Sequence, residues 1–270
     1  MNCRAGNINF VRAMICIWCR NEFERLSTEH GIPESLGCPK DLVLRNVVCV
    51  NCNNALGTVD QALLKQFEVA TVVYGVCRKG GRRPTIDGWR AISSKHLETG
   101  QHIFINAGPQ IVEAEGKRLH PAAKSNGIFD TWIDPEAGRL GFSQEFGNDP
   151  RFVRALYKIG LNLVARHYGV TEAADTQYEH IRAFVWGRPD APKLRAVMDT
   201  TQTLGPVTGA SNPIVKDGRD FPLFSVAILG LMFLIDMSPQ QPGLRDLEAA
   251  ATLRNESLVF LPPRRPSSSC

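Results

Sequence analysis

Cys16-Ile17-Trp18-Cys19 and Cys49-Val50-Asn51-Cys52-Asn53-Asn54 stand on either side of Glu29-His30-Gly31-Ile32-Pro33-Glu34-Ser35-Leu36-Gly37, and this stretch decides how the N-terminal part of the chain is read. Two thiolate pairs supply four soft ligands, the set that tetrahedral structural zinc takes. The two-residue spacing inside each pair lets one short turn place both sulfurs on the same ion. Cys49 follows Cys19 by thirty positions, which leaves room for a functional insert between the pairs. A four-cysteine site is closed, so zinc here is expected to hold structure rather than to perform chemistry.

The rest of the composition frames that reading. The chain has 270 residues, enough for one large domain or two smaller ones around a real core. Its formal net charge of +4 is too mild to imply a nucleic-acid partner by itself. Of the 8 cysteines, Cys3, Cys38, Cys77 and Cys270 follow no pattern. With no export signal in Met1–Phe10, a disulfide framework is not expected, and paired cysteines in a reducing compartment favour metal. The apolar run from Phe221 to Met237 is shorter than the roughly 20 residues of a spanning helix. It is also broken by Pro222, Gly230 and Asp236. It reads as buried strands or a strand and a turn, so a cytoplasmic protein is expected.

Outward from the cysteines, the organisation is as follows. Met14 looks like a natural start, making residues 1–13 an upstream extension. A strand before His30, a strand over Leu42–Val48 and a helix from Asn53 give the order β, β, α. Ala55, Leu56, Val59, Ala62, Leu63 and Phe67 supply the helical period. Residues 68–120 read as β-rich, with strands at Val69–Val76, His102–Asn106 and Gln110–Glu113. The clearest helix follows: Asp149 caps it, Pro150 suits its first position and Gly169 ends it. A second helix is expected over Thr176–Trp186, then strands around Pro206–Val215 and Phe221–Met237. The tail from Leu261 to Cys270 is rich in Pro and Ser and reads as disordered.

Taken together, the cysteine pairs, the Glu29-His30-x-x-Pro33-x-Ser35-Leu36-Gly37 segment and Cys49-x-x-Cys52-Asn53-Asn54 with the acidic helix running to Asp60 resemble the HNH endonucleases. These are also called His-Me finger or ββα-metal nucleases, and the match is to their four-cysteine branch. The resemblance covers roughly residues 14–66. It implies an α+β protein: an N-terminal ββα-metal zinc module over 14–66, then a mixed α/β accessory or substrate-binding domain over 67–245, and a C-terminal segment over 246–270. It implies that His30 is the general base that takes a proton from the attacking water, a task a neutral imidazole performs near physiological pH. It also implies that Glu29 and Asn53 hold one catalytic Mg²⁺ or Mn²⁺, which would stabilise charge at phosphorus and on the leaving 3′ oxygen. Cys16, Cys19, Cys49 and Cys52 hold the structural Zn²⁺. Three positions depart from the common pattern: Glu29 where Asp is usual, Asn53 where many members have His, and Gly57, which supplies no second helix ligand. Asn54 and Asp60 are the nearby substitutes, though a solvated helix face accounts for both. For Asn53, helix capping is the structural alternative.

The substrate expected from the resemblance is DNA, with RNA left open. Arg78, Lys79, Arg82 and Arg83 crowd a glycine-containing hairpin tip, and only Asp87 opposes them up to Lys95. Such a tip suits phosphate contact without base reading. Trp89 is placed in a core or on a base. Arg151, Arg154 and Lys158 share one face of the later helix, read as solvated or phosphate-facing. His167 and His180 lack metal-ligand spacing. A membrane partner is not expected. Cutting both strands needs a homodimer or two encounters. Family analogy suggests a setting in bacterial or phage nucleic-acid defence or mobility. The competing class is a non-catalytic, zinc-stabilised nucleic-acid-binding protein on the same scaffold.

Overall fold

The computed structural model describes residues 13–77, 81, 82, 84, 92–95, 102–105, 118–119, 129–134, 139–144, 146–214, 221–254 and 258–262. For the strands between 92 and 144 it describes the backbone alone. The expectations for residues 1–12, for Gln110–Glu113, for Trp89 and for the tail beyond 262 lie outside the described residues.

The chain enters through a small antiparallel pair, β1 (Met14–Ile15) and β2 (Glu22–Phe23). The turn between them carries the first cysteine pair. Cys16 N–H donates to Asn21 O at 3.0 Å, and Arg20, at φ +61°, folds the loop back. β3 (Ser27–His30) pairs with β4 (Val43–Val48), joining Glu29 to Leu44 and His30 to Val43. Gly31 N–H then donates to Leu42 O at 2.8 Å. A Cβ at Gly31 would lie 2.9 Å from that oxygen, so only glycine lets the chain turn this close behind His30.

α1 (Val50–Gln66) follows β4 directly. It begins earlier than the expected Asn53, because the sulfur of Cys49 caps it by accepting from Cys52 N–H at 3.4 Å. Capping is therefore not the role of Asn53. Cys52, Leu56, Val59 and Leu63 turn inward, as their spacing requires.

α2 (Glu68–Val73) corrects the expectation of a strand at Val69–Val76. Five consecutive residues, Val69 to Val73, are buried. A short run buried on all sides has no period that separates strand from helix, and here burial overrides β-propensity. Thr71 Oγ1 also donates back to Glu68 O at 2.7 Å, a bond available only in a helical turn. Two sheets follow: β5 (Ile92–Lys95) with β6 (His102–Ile105), and β7 (Arg118–Leu119) with β8 (Phe129–Asp134) and β9 (Arg139–Gln144).

α3 (Pro150–Tyr168) is the axle of the molecule. Asp149 Oδ1 accepts from Arg151 N–H at 2.9 Å, Pro150 opens the first turn and Gly169, at φ +98°, closes the last, all as expected. From Ala155 to Ala165 every residue is buried, so this helix is packed on all sides rather than on one stripe. α4 (Val170–Ala173) and α5 (Glu179–Trp186) fold back against it, the second within the expected Thr176–Trp186 segment.

A five-stranded antiparallel sheet completes the core. Its order is β11 (Gly209–Ala210), β12 (Leu223–Ile228), β13 (Leu231–Asp236), β10 (Ala196–Asp199) and β14 (Leu258–Leu261). The apolar run Phe221–Met237 is thus a hairpin, and no helix among the described residues is long and apolar enough to cross a membrane. Leu261 is fully buried in the edge strand β14 rather than opening a disordered tail, and α6 (Pro242–Arg254) packs beside β13.

One buried cluster runs from Cys16 to Leu261. Phe67 at the end of α1 lies 5.4 Å from Phe146, 6.4 Å from Phe152 and 6.2 Å from Phe233, ring centre to ring centre. These aromatic contacts join the N-terminal module, α3 and the large sheet into a single core.

Candidate metal centre and nuclease site

The four paired cysteines converge. Cys16, Cys19, Cys49 and Cys52 offer sulfurs that all lie within 4.8 Å of one another, and no other group of three or more His, Cys, Asp or Glu among the described residues does so. A tetrahedral Zn²⁺ with Zn–S bonds of about 2.3 Å holds its sulfurs about 3.8 Å apart. Cys19 and Cys49 sulfurs are 3.9 Å apart, so the set fits that ion with little movement. Backbone N–H groups already point at the sulfurs: Cys49 N donates to Cys16 Sγ at 3.3 Å and Cys52 N to Cys49 Sγ at 3.4 Å. Burial opposes ionisation of Cys49, but hydrogen bonds from Cys52 outweigh it and pull that thiol down. Burial among three other sulfurs pushes Cys52 up. A divalent cation is the usual remedy for such crowding, since it takes up the charge of the thiolates.

His30 ends β3 and is half-exposed. Its Nδ1 stands 3.8 Å from Glu34 Oε2, one turn further on in the loop. Asn53 lies on the first turns of α1 and reaches back to the strand, its Nδ2 donating to Ser27 Oγ at 3.2 Å and to Thr28 O at 3.4 Å. Asn53 is therefore a tie between helix and strand, adjacent to the backbone that carries His30. Ser27 Oγ in turn donates to Val48 O at 2.7 Å.

Glu29 faces the other way. Successive strand residues alternate sides, and Glu29 is only 3% exposed. Its Oε1 lies 2.6 Å from Lys158 Nζ and accepts from Asn162 Nδ2 at 3.3 Å. Lys158 also donates to Asp60, at 2.7 Å from Oδ2 and 2.9 Å from Oδ1. This corrects two expectations. Lys158 is buried and does not share a solvated face with Arg151 and Arg154, and Asp60 is an ion-pair partner rather than a surface carboxylate. Asn54 is exposed, as a solvated helix face requires.

Mg²⁺ and Mn²⁺ need oxygen ligands at about 2.1 Å in an open octahedral set. Glu29 gives its carboxylate to an ammonium and an amide. Asn53 uses its amide nitrogen on the strand, whereas a divalent ion would take its oxygen.

Arg82 is exposed, while Arg78, Lys79 and Arg83 lie outside the described residues. His180 is structural: its two ring nitrogens face Gln177 O and Met237 O, each at 2.8 Å. His167 stacks on Phe224 with ring centres 6.0 Å apart. Asn162 is not singled out by the sequence, and Lys158 is read there only as part of a solvated or phosphate-facing surface. Their signal was the helix around them, apolar at 155, 156, 157, 159, 161, 163, 164 and 165, which leaves no free side for a solvated lysine.

The sequence of this region has a counterpart among known proteins. Residues 16–68 match the family model of the HNH endonucleases. With the converging cysteines, they form an HNH module of the four-cysteine kind. No curated protein and no solved structure is significantly similar to the chain.

Proposed function

We propose that the protein is an HNH-type endonuclease that hydrolyses phosphodiester bonds in DNA, with His30 as general base. The observation that carries this reading is the placement of His30. It sits half-exposed at the end of β3, inside the matched module, on a strand paired with β4 and tied to α1 through Asn53. A base must be both reachable by water and fixed in position, and a strand end braced on two sides meets both needs.

In this mechanism the imidazole of His30 removes a proton from water as the water oxygen attacks phosphorus. The bond from phosphorus to the 3′ oxygen breaks, the 3′ oxygen takes a proton from solvent, and the product strand carries a 5′-phosphate. Glu34, 3.8 Å from Nδ1, supports through its charge the positive charge the ring acquires. The zinc cluster is structural and takes no part in bond breaking. The basic segment from Arg78 to Arg83 supplies phosphate contacts. A role in bacterial or phage nucleic-acid defence fits this chemistry by family analogy, and double-strand cutting would use two encounters or two copies.

A second reading, a zinc-stabilised nucleic-acid-binding protein without catalysis, is favoured by one observation: Glu29 is committed to Lys158.

The test is plasmid cleavage by zinc-loaded protein in Mg²⁺ or Mn²⁺, beside His30→Ala. The nuclease reading expects nicking that falls at least about 100-fold in the variant. Failure to cut any DNA or RNA, or equal cutting by the variant, overturns it, and binding without cleavage supports the second reading.

A further inference from the structure

We propose that Lys158 is the resident cation of the HNH module: its ammonium holds the seat on Glu29 that the family resemblance gives to a divalent ion. The inference rests on the reading of residues 16–68 as an HNH module, and not on whether the chain cuts.

Three elements distant in sequence build this seat. β3 contributes Glu29, α1 contributes Asp60 and α3 contributes Lys158 with Asn162 one turn later. Lys158 Nζ is within 2.6 Å of Glu29 Oε1 and 2.7 Å of Asp60 Oδ2, and the side chains of Lys158 and Glu29 are each only 4% exposed. Two carboxylates brought this close inside a protein repel strongly, and a cation between them is required. Burial works against the ammonium, but Asp60 and Glu29 outweigh it and hold Lys158 charged. With both carboxylates ionised the three groups sum to one negative charge, and burial raises the Asp60 carboxyl against that excess. Asn162 answers part of that excess by donating to Glu29, while its own Oδ1 is buried with no partner among the described residues.

A divalent ion could reach Glu29 only by displacing an ammonium whose side chain is almost wholly buried. Lys158 would then keep only Asp60, beside a new like charge. The fixed cation therefore excludes the mobile one. The accessory helix thus completes the electrostatics of the module, a part that the matched residues 16–68 do not contain.

The test counts Mn²⁺ by electron paramagnetic resonance titration of the zinc-loaded full chain. Wild type and Glu29→Gln are expected to bind Mn²⁺ alike, since Glu29 has no open coordination to lose. Lys158→Gln, whose amide keeps hydrogen bonds but no charge, is expected to gain a Mn²⁺ site at least about tenfold tighter than any in wild type. Adding Glu29→Gln to that variant should remove the gain. A stoichiometric wild-type site that Glu29→Gln abolishes overturns the proposal, as does a folded Lys158→Gln that gains no site. If Lys158→Gln does not fold, the comparison of wild type with Glu29→Gln decides alone. Because the readout is metal binding, it is independent of the cleavage assay.

Discussion

Arg182 Nη1 donates to the carbonyl oxygen of Ile17 at 3.3 Å, and Ile17 lies inside the first cysteine pair. The same guanidinium donates to Ala173 O at 2.9 Å and to Glu179 Oε2 at 3.0 Å, and is only 1% exposed. A side chain of α5 thus grips the turn on which two of the four sulfurs are mounted. The planar, multi-donor guanidinium suits this task in a way a lysine ammonium does not.

Replacing Arg182 should therefore reach the metal centre. Arg182→Ala leaves buried carbonyls unpaired and is expected to cost about 3–5 kcal/mol in stability. Arg182→Lys should recover only part of it. Urea unfolding measures the loss, and a chromogenic chelator should draw zinc from both variants faster than from wild type.

Zinc itself should be a condition of folding for the N-terminal module. Cys52→Ser removes one of four converging ligands and the one carried inside α1. The variant is expected to lose zinc and to melt at lower temperature with reduced cooperativity. Atomic absorption and calorimetry on the same sample test both outcomes together.

Asp149 offers a pH-dependent test on α3. The Arg151 guanidinium, hydrogen-bonded through Nη2 to Oδ2 at 2.7 Å, is the main influence holding the Asp149 carboxyl below its ordinary value. The folded pKa is thus depressed. Its stabilisation is fully present above the unfolded value and is lost as pH falls through the folded one. Asp149→Ala should cost about 1 kcal/mol near neutrality, as loss of an N-cap does. The gap between variant and wild type should narrow on acidification into the range where carboxylates titrate, measured by denaturation at a series of pH values.

Gly230 closes the hairpin between β12 and β13 at φ +87°. A Cβ there would fall 2.4 Å from Thr203 O and 2.6 Å from Gly205 N, both backbone atoms. Gly230→Ala combines left-handed strain with a clash that no side-chain rotation relieves. It is expected to destabilise by about 2–4 kcal/mol, read from the thermal or urea midpoint.

Much of the N-terminal module and the start of α3 were legible in the sequence because their signals are local. Two-residue cysteine spacing, Asn53 beside Cys52 and the Asp149–Pro150 start of α3 each report on their own neighbourhood. What escaped was fixed by distance or by burial. Lys158 meets Glu29 across 129 positions in the chain, and no spacing within α3 announces that partner. Val69–Val73 has the composition of a strand, and only its enclosure by other elements makes it helical. Leu261 opens the Pro- and Ser-rich stretch read as a disordered tail, yet it belongs to Leu258–Leu261, which pairs with Ala196–Asp199 at the edge of the large sheet. Glu29 was read beside His30 because the two are adjacent in sequence, whereas the pleat sends them to opposite faces.

The pairing of Glu29 and Asp60 with Lys158 also bears on how such a module can be inherited or borrowed. The stretch shared with other proteins stops at residue 68, ninety positions short of the lysine that neutralises it. Grafted alone onto another protein, the stretch would bring two facing carboxylates and no counterion. The recipient would have to provide a cation of its own or take one from solution. In this chain the HNH motif and the helix beside it form a single electrostatic unit, and a substitution at Lys158 should call for either a cation from solution or a change at Glu29 or Asp60.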